Sequence, residues 1–310
     1  MIVRKQLFLI ALLLVARAVV FPEATKCPAG SAAIRFHSLA GSQIAIPVWI
    51  NHSGPYEFMV DTGSEITVMD PKLAAELKLQ AQGSIRMAFA TSYTSADLVQ
   101  PEIVETGPAA VRKLVVAVKG LNQLQTSNPR LRGILGENFL GRFDLLIDYH
   151  HKVICLDQSK ELQNQIKGER VPTIEPLEQE GGPAGMLSIM VTVHLPGDGK
   201  KGTILRIDSG SSAPILFTHQ VEALSWQQRC HARQGTIAGN GDGPVFAVMS
   251  SRDVRIGLHT IRQMVFLTPI NTGRSMPRAD ADGLLPTALF LKVFISSAGH
   301  FVIFDPQARR

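Results

Sequence analysis

Cysteine is scarce: Cys27, Cys155 and Cys230 are the three present in 310 residues. An odd set with no short spacing cannot be a disulfide scaffold. At most one pair can form, and buried or idle thiols are the expectation. No Cys-x-x-Cys or His-x-x-x-His spacing occurs, so neither a metal nor another cofactor is expected. Charged residues make up only 18 % and aromatics 6 %. Although the net charge is +5, the lysines and arginines are scattered rather than gathered into aromatic-interleaved stripes, which excludes a nucleic-acid footprint. Long apolar runs are missing too. The longest, residues 7–15, falls short of the about 20 residues that a membrane-spanning helix needs.

That run has another use. Arg4 and Lys5 precede it, and Ala16-Arg17-Ala18 follows with small residues at the spacing a signal peptidase reads. Residues 1–22 are therefore read as an export signal cleaved near Ala18. The mature protein is expected in the periplasm or secreted, without a stable membrane span. With 45 % hydrophobic content the remaining chain is long enough for two compact domains.

The chain is organised around Phe58-Met59-Val60-Asp61-Thr62-Gly63-Ser64. An apolar run that reads as a buried strand ends in a carboxylate, a hydroxyl and a glycine, so Asp61 is delivered to the edge of a core. The pattern recurs as Ile204-Leu205-Arg206-Ile207-Asp208-Ser209-Gly210-Ser211. More than the triplet is repeated. After Asp61 come a short strand, a helix opened by Asp70-Pro71, a hairpin with a polar tip at residues 91–95, and Gly133-Ile134-Leu135-Gly136. After Asp208 come a strand at 214–217, a helix from Thr218, a hairpin tip at residues 239–243, and Gly283-Leu284-Leu285-Pro286. Each half closes with a strand pair. Between them, residues 158–185 are rich in Gln, Glu, Lys and Pro and read as a linker, separating an N-terminal lobe (30–157) from a C-terminal lobe (186–308).

The two Asp-Thr/Ser-Gly motifs resemble the active-site signature of the aspartic proteases, pepsin-like and retropepsin-like. The resemblance covers residues 43–304 and is nearest to bacterial exported proteins with two fused retropepsin-like lobes. Glu65 is similar to the retroviral type. The resemblance implies an all-β fold: two acid-protease-type β-barrel lobes with pseudo-twofold symmetry and a few short helices. It implies Asp61 and Asp208 as catalytic residues of an endopeptidase acting on a peptide or protein, with both lobes supplied by one monomeric chain.

The same resemblance gives the neighbours roles. Thr62 and Ser209 would bond across to the opposite loop; Gly63 and Gly210 leave room beside the carboxylates. For Ser64 and Ser211 two readings stay level, bonding to the outer carboxylate oxygens or stabilising their own turns. Gly133, Gly136 and Gly283 would support the loops from behind. Tyr93 and the tip Gly239, Asn240 and Gly241 are candidate flap residues. Pro286, standing where the first half has Gly136, implies a support built differently or held less well. The rival readings are a catalytically inactive peptide-binding module and a homodimer pairing Asp61 with its own copy.

Overall fold

The computed structural model describes residues 27–28, 30–39, 41–89, 92–174, 189–223, 233–236, 245–270 and 281–306. Runs rich in β-branched and aromatic residues at a period of two become strands in two large sheets, so the fold is all-β with a few short helices. The signal-peptide expectation and the 239–241 tip lie outside the described residues.

One sheet belongs to the first half. In order it holds Gly83–Phe89, Ser92–Val99, Val116–Val118, Thr67–Met69, Leu131–Leu135, Ser53–Val60, Ile44–Ile50, Ile103–Thr106 and Ala109–Arg112. The helix Pro71–Glu76 begins as its sequence predicts. Asp70 caps it by accepting the Leu73 N–H at 3.0 Å, and its other oxygen lies 2.6 Å from Arg132 Nε.

The second sheet is shared. The two halves meet in it at one strand pair, Asp144–Asp148 against Lys292–Ser296, with Leu146 opposite Phe294. Val153–Asp157 and Ala32–Arg35 extend it on one side; Phe301–Phe304 and Val171–Ile174 extend it on the other. From there it runs through Met190–Val193 and Thr203–Asp208 into the second half, and ends in the long hairpin Val245–Ile256 and His259–Ile270 with Arg233–Thr236 at its edge. Buried Ile147, Val293, Ile295 and Val302 join a core that reaches from Ile44 to Phe304.

Two expectations are corrected here. Cys27 and Cys155 are not idle thiols but a disulfide, tying the chain ahead of Ala32–Arg35 to the strand Val153–Asp157. The residue types 27 and 155 carry no pairing signal; only the fold brings them together. Within the expected linker, residues 158–174 hold the helix Glu161–Gln165 and the strand Val171–Ile174. Leu162 is buried and Val171 pairs with Val302, so polar composition misled where two apolar anchors sufficed. Among the described residues, no helix is long and apolar enough to cross a membrane.

Candidate active site

Two strands end face to face. Ser53–Val60 delivers Asp61 and Thr203–Asp208 delivers Asp208, and each is flanked by a parallel strand from later in its own half. Leu135 lies beside Val60, and its carbonyl accepts the Asp61 N–H at 3.0 Å. Leu285 lies beside Ile207 and Pro286 beside Asp208. The second support is thus formed despite its proline.

The supporting glycines are required by close packing. A Cβ on Gly133 would enter the Phe58 ring, one on Gly136 would lie 2.7 Å from the Ile66 carbonyl, and one on Gly283 would strike the Ile215 carbonyl. At the loops themselves the constraint is sharper. A Cβ on Gly63 would sit 2.5 Å from Asp208 Cγ, and one on Gly210 would sit 2.5 Å from Asp61 Cγ. Each glycine therefore clears space for the opposite carboxyl.

The hydroxyls lock the loops together. Thr62 N–H donates to Ser209 Oγ at 3.1 Å, and Ser209 N–H donates to Thr62 Oγ1 at 3.0 Å. Thr62 Oγ1 donates to the Ile207 carbonyl at 3.0 Å and Ser209 Oγ to the Val60 carbonyl at 2.8 Å. Both side chains are buried and each hydroxyl both gives and receives, so no polar atom of the grip is left unsatisfied. Ser64 and Ser211 follow the turn-stabilising reading: their hydroxyls donate to the Ile66 and Ala213 carbonyls, away from the carboxylates.

The Asp61 and Asp208 carboxyls face each other's loops and both are pushed toward the protonated form, chiefly by burial. They are not equivalent. Asp208 Oδ1 accepts the N–H groups of Gly210 and Ser211, each at 2.8 Å, which partly offsets its burial. Asp61 Oδ1 accepts the Gly63 N–H at 2.9 Å and is raised further by the Asp208 charge, so its carboxyl stands well above the usual range. Two buried carboxyls this close share one proton between them.

Four neighbours were not singled out from the sequence. Gln43 Nε2 donates to the Gly210 carbonyl at 2.6 Å, and Arg206 Nη1 donates to the Gly63 carbonyl at 3.2 Å. The Tyr149 hydroxyl lies 2.6 Å from Thr287 Oγ1, and burial pushes its phenol up to about 12. Glu137 is buried under the Asp61 loop with no hydrogen-bond partner on either oxygen, and burial holds it well above the usual carboxylate range. The one legible signal was Arg206, a charge inside an otherwise apolar strand. Tyr93 lies on the strand Ser92–Val99, its backbone paired with Ala88 of Gly83–Phe89.

This geometry defines a two-carboxylate site on paired Asp-Thr/Ser-Gly loops. Residues 46–139, from the strand before Asp61 to the helix behind it, match a family model described as aspartyl protease. Over 89 % of this chain and 94 % of the other, the fold is similar to that of a crystal structure of edgp, with a TM-score of 0.50 at 11 % identity. At that identity the likeness speaks for architecture alone. No curated protein matches in sequence.

Proposed function

We propose that this protein is an exported aspartic endopeptidase in which Asp61 and Asp208, both from one chain, activate a water to hydrolyse peptide bonds. The observation that carries this reading is the carboxyl pair, each member packed against the other loop's glycine and held by the reciprocal Thr62 and Ser209 grip. The aspartyl protease match around Asp61 supports the same reading. Asp208 takes a proton from the water as its oxygen attacks the amide carbon, while Asp61 gives its proton to the carbonyl oxygen. On collapse a hydroxyl proton returns to Asp61, the proton on Asp208 passes to the leaving nitrogen, and the C–N bond breaks. The hairpin Gly83–Phe89 and Ser92–Val99, with Tyr93 near its tip, closes over an extended peptide through main-chain hydrogen bonds.

Turnover needs one proton on the pair. It is lost at low pH when Asp208 is neutralised and at high pH when Asp61 ionises. Burial raises both carboxyls, which moves this window toward higher pH. Export is supported by the basic-apolar N-terminus and by the Cys27–Cys155 disulfide, since such bonds persist in oxidising compartments.

The test is cleavage of a broad peptide library by the purified protein from acid to neutral pH, with Asp61→Asn and Asp208→Asn beside it. Each substitution is expected to lower kcat/KM by about 10²–10⁴-fold or more. Activity that survives Asp208→Asn and depends on protein concentration would support a homodimer. Binding of peptides without any cleavage would leave the inactive module.

A further inference from the structure

Along Thr203–Asp208 the side chains alternate. Thr203, Leu205 and Ile207 enter the core, while Ile204, Arg206 and Asp208 share the other face. Arg206 therefore stands on the face that carries the dyad, two residues before one of its members. Its guanidinium reaches the opposite loop: Nη1 bonds the Gly63 carbonyl at 3.2 Å and Nη2 lies 3.7 Å from Glu65 Oε1. Gly63 is the residue whose Cα packs against the Asp208 carboxyl, so the guanidinium fastens the Asp61 loop where the acids meet.

The surroundings are crowded with acid. Asp61 ends Ser53–Val60, Glu65 follows in the next turn, Glu137 opens the helix Glu137–Leu140, and Asp208 is on Arg206's own strand. The Tyr149 phenol, at the end of Asp144–Asp148, senses Asp208 as well. Glu137 is 5 % exposed and, with both oxygens unpartnered, has no local donor to hold a charge. The Arg206 charge favours the ionised form of both Asp208 and Glu137. At 19 % side-chain exposure it is screened much less than a surface cation.

We propose that Arg206 is a positioning residue for the Asp61/Asp208 pair: it fastens the Asp61 loop through Gly63 and Glu65, and its charge keeps that pair from taking up a second proton in the working pH range. The inference rests on the aspartic endopeptidase reading above. A merely structural arginine would hold the loops without affecting where the acids titrate.

The test compares Arg206→Met, Arg206→Lys and Glu65→Gln with wild type by two readouts. One is the pH profile of kcat and KM on a peptide substrate; the other is the titration of aspartate carboxyls in protein labelled with ¹³C, which needs no turnover. Arg206→Met is expected to lower kcat about 10²-fold with little change in KM, and to move the acid limb and the carboxyl titration to higher pH. Arg206→Lys keeps the charge and should restore the limb, with only part of kcat. Glu65→Gln removes a negative charge and should move the limb the other way, which keeps the proposal testable if Arg206→Met does not fold. A variant set that loses thermal stability while limb and titration stay fixed would overturn the proposal. If wild type cleaves nothing, the endopeptidase reading falls, and the carboxyl titration still decides the role of Arg206.

Discussion

Behind Asp61 the chain reads Gly136-Glu137-Asn138; behind Asp208 it reads Pro286-Thr287-Ala288. The first backing is made locally. Gly136 N–H donates to Thr67 Oγ1, the Glu137 and Asn138 N–H groups donate to the Ser64 and Glu65 carbonyls, and Asn138 Oδ1 accepts from both the N–H and the hydroxyl of Thr67. The second backing borrows from the other half, through the Tyr149 hydroxyl on Thr287. The carboxyl ends of the two loops match, yet their undersides differ. An unpartnered acid lies beneath Asp61, whereas a guanidinium and two strong N–H donors favour the anion at Asp208. The two acids thus sit in unequal surroundings although the front of the pair looks even.

The strongest way to break the comparison is at its most symmetric point. Gly63→Ala and Gly210→Ala each drive a methyl into the opposite carboxyl, so both should cost about 10²-fold or more in kcat, with a similar loss from either side. A peptide assay that tolerates one and not the other would show that the acids do not meet as described. Next, Thr62→Val and Ser209→Ala each strand a buried N–H. Each is expected to destabilise by about 1–3 kcal/mol in denaturant unfolding, again nearly equally.

Glu137→Gln sharpens the asymmetry. The Glu137 carboxyl is raised above 4.5 in the folded protein, so stability is fully present below that value and is lost as pH rises through the native one. The variant lacks this slope, so its unfolding free energy, measured in denaturant, should pull ahead of wild type as pH rises above 4.5. A constant difference across that range would place the Glu137 carboxyl in contact with an unseen partner. Tyr149→Phe, the mildest change, removes the partner of Thr287 and should cost about 1 kcal/mol without touching the Asp61 side.

Part of this architecture was readable from local pattern. The two strands that lead to Asp61 and Asp208, the capped helix at Asp70 and the glycine-framed supports carry local patterns that survive folding, while the all-β class came with the family resemblance of the two Asp motifs. What lay hidden depends on distant pairing. Cys27 meets Cys155 across 128 residues, and Tyr149 meets Thr287 across 138. Neither spacing means anything until the shared sheet brings the halves together. Residues 158–174 were hidden for a different reason: a polar stretch needs only Leu162 and Val171 pointing inward to become ordered structure. Glu137 was invisible because burial of a carboxyl is a property of its surroundings and leaves no mark in the residue itself.

The pairing of Asp144–Asp148 with Lys292–Ser296 across the two halves carries a consequence for any attempt to divide the chain. Severed between its halves, each fragment would expose a row of unsatisfied amide groups along a strand buried on both faces. Such a bare margin is sticky toward whatever matches its register. The two fragments made together should recombine, whereas either one made alone should pair with itself or precipitate.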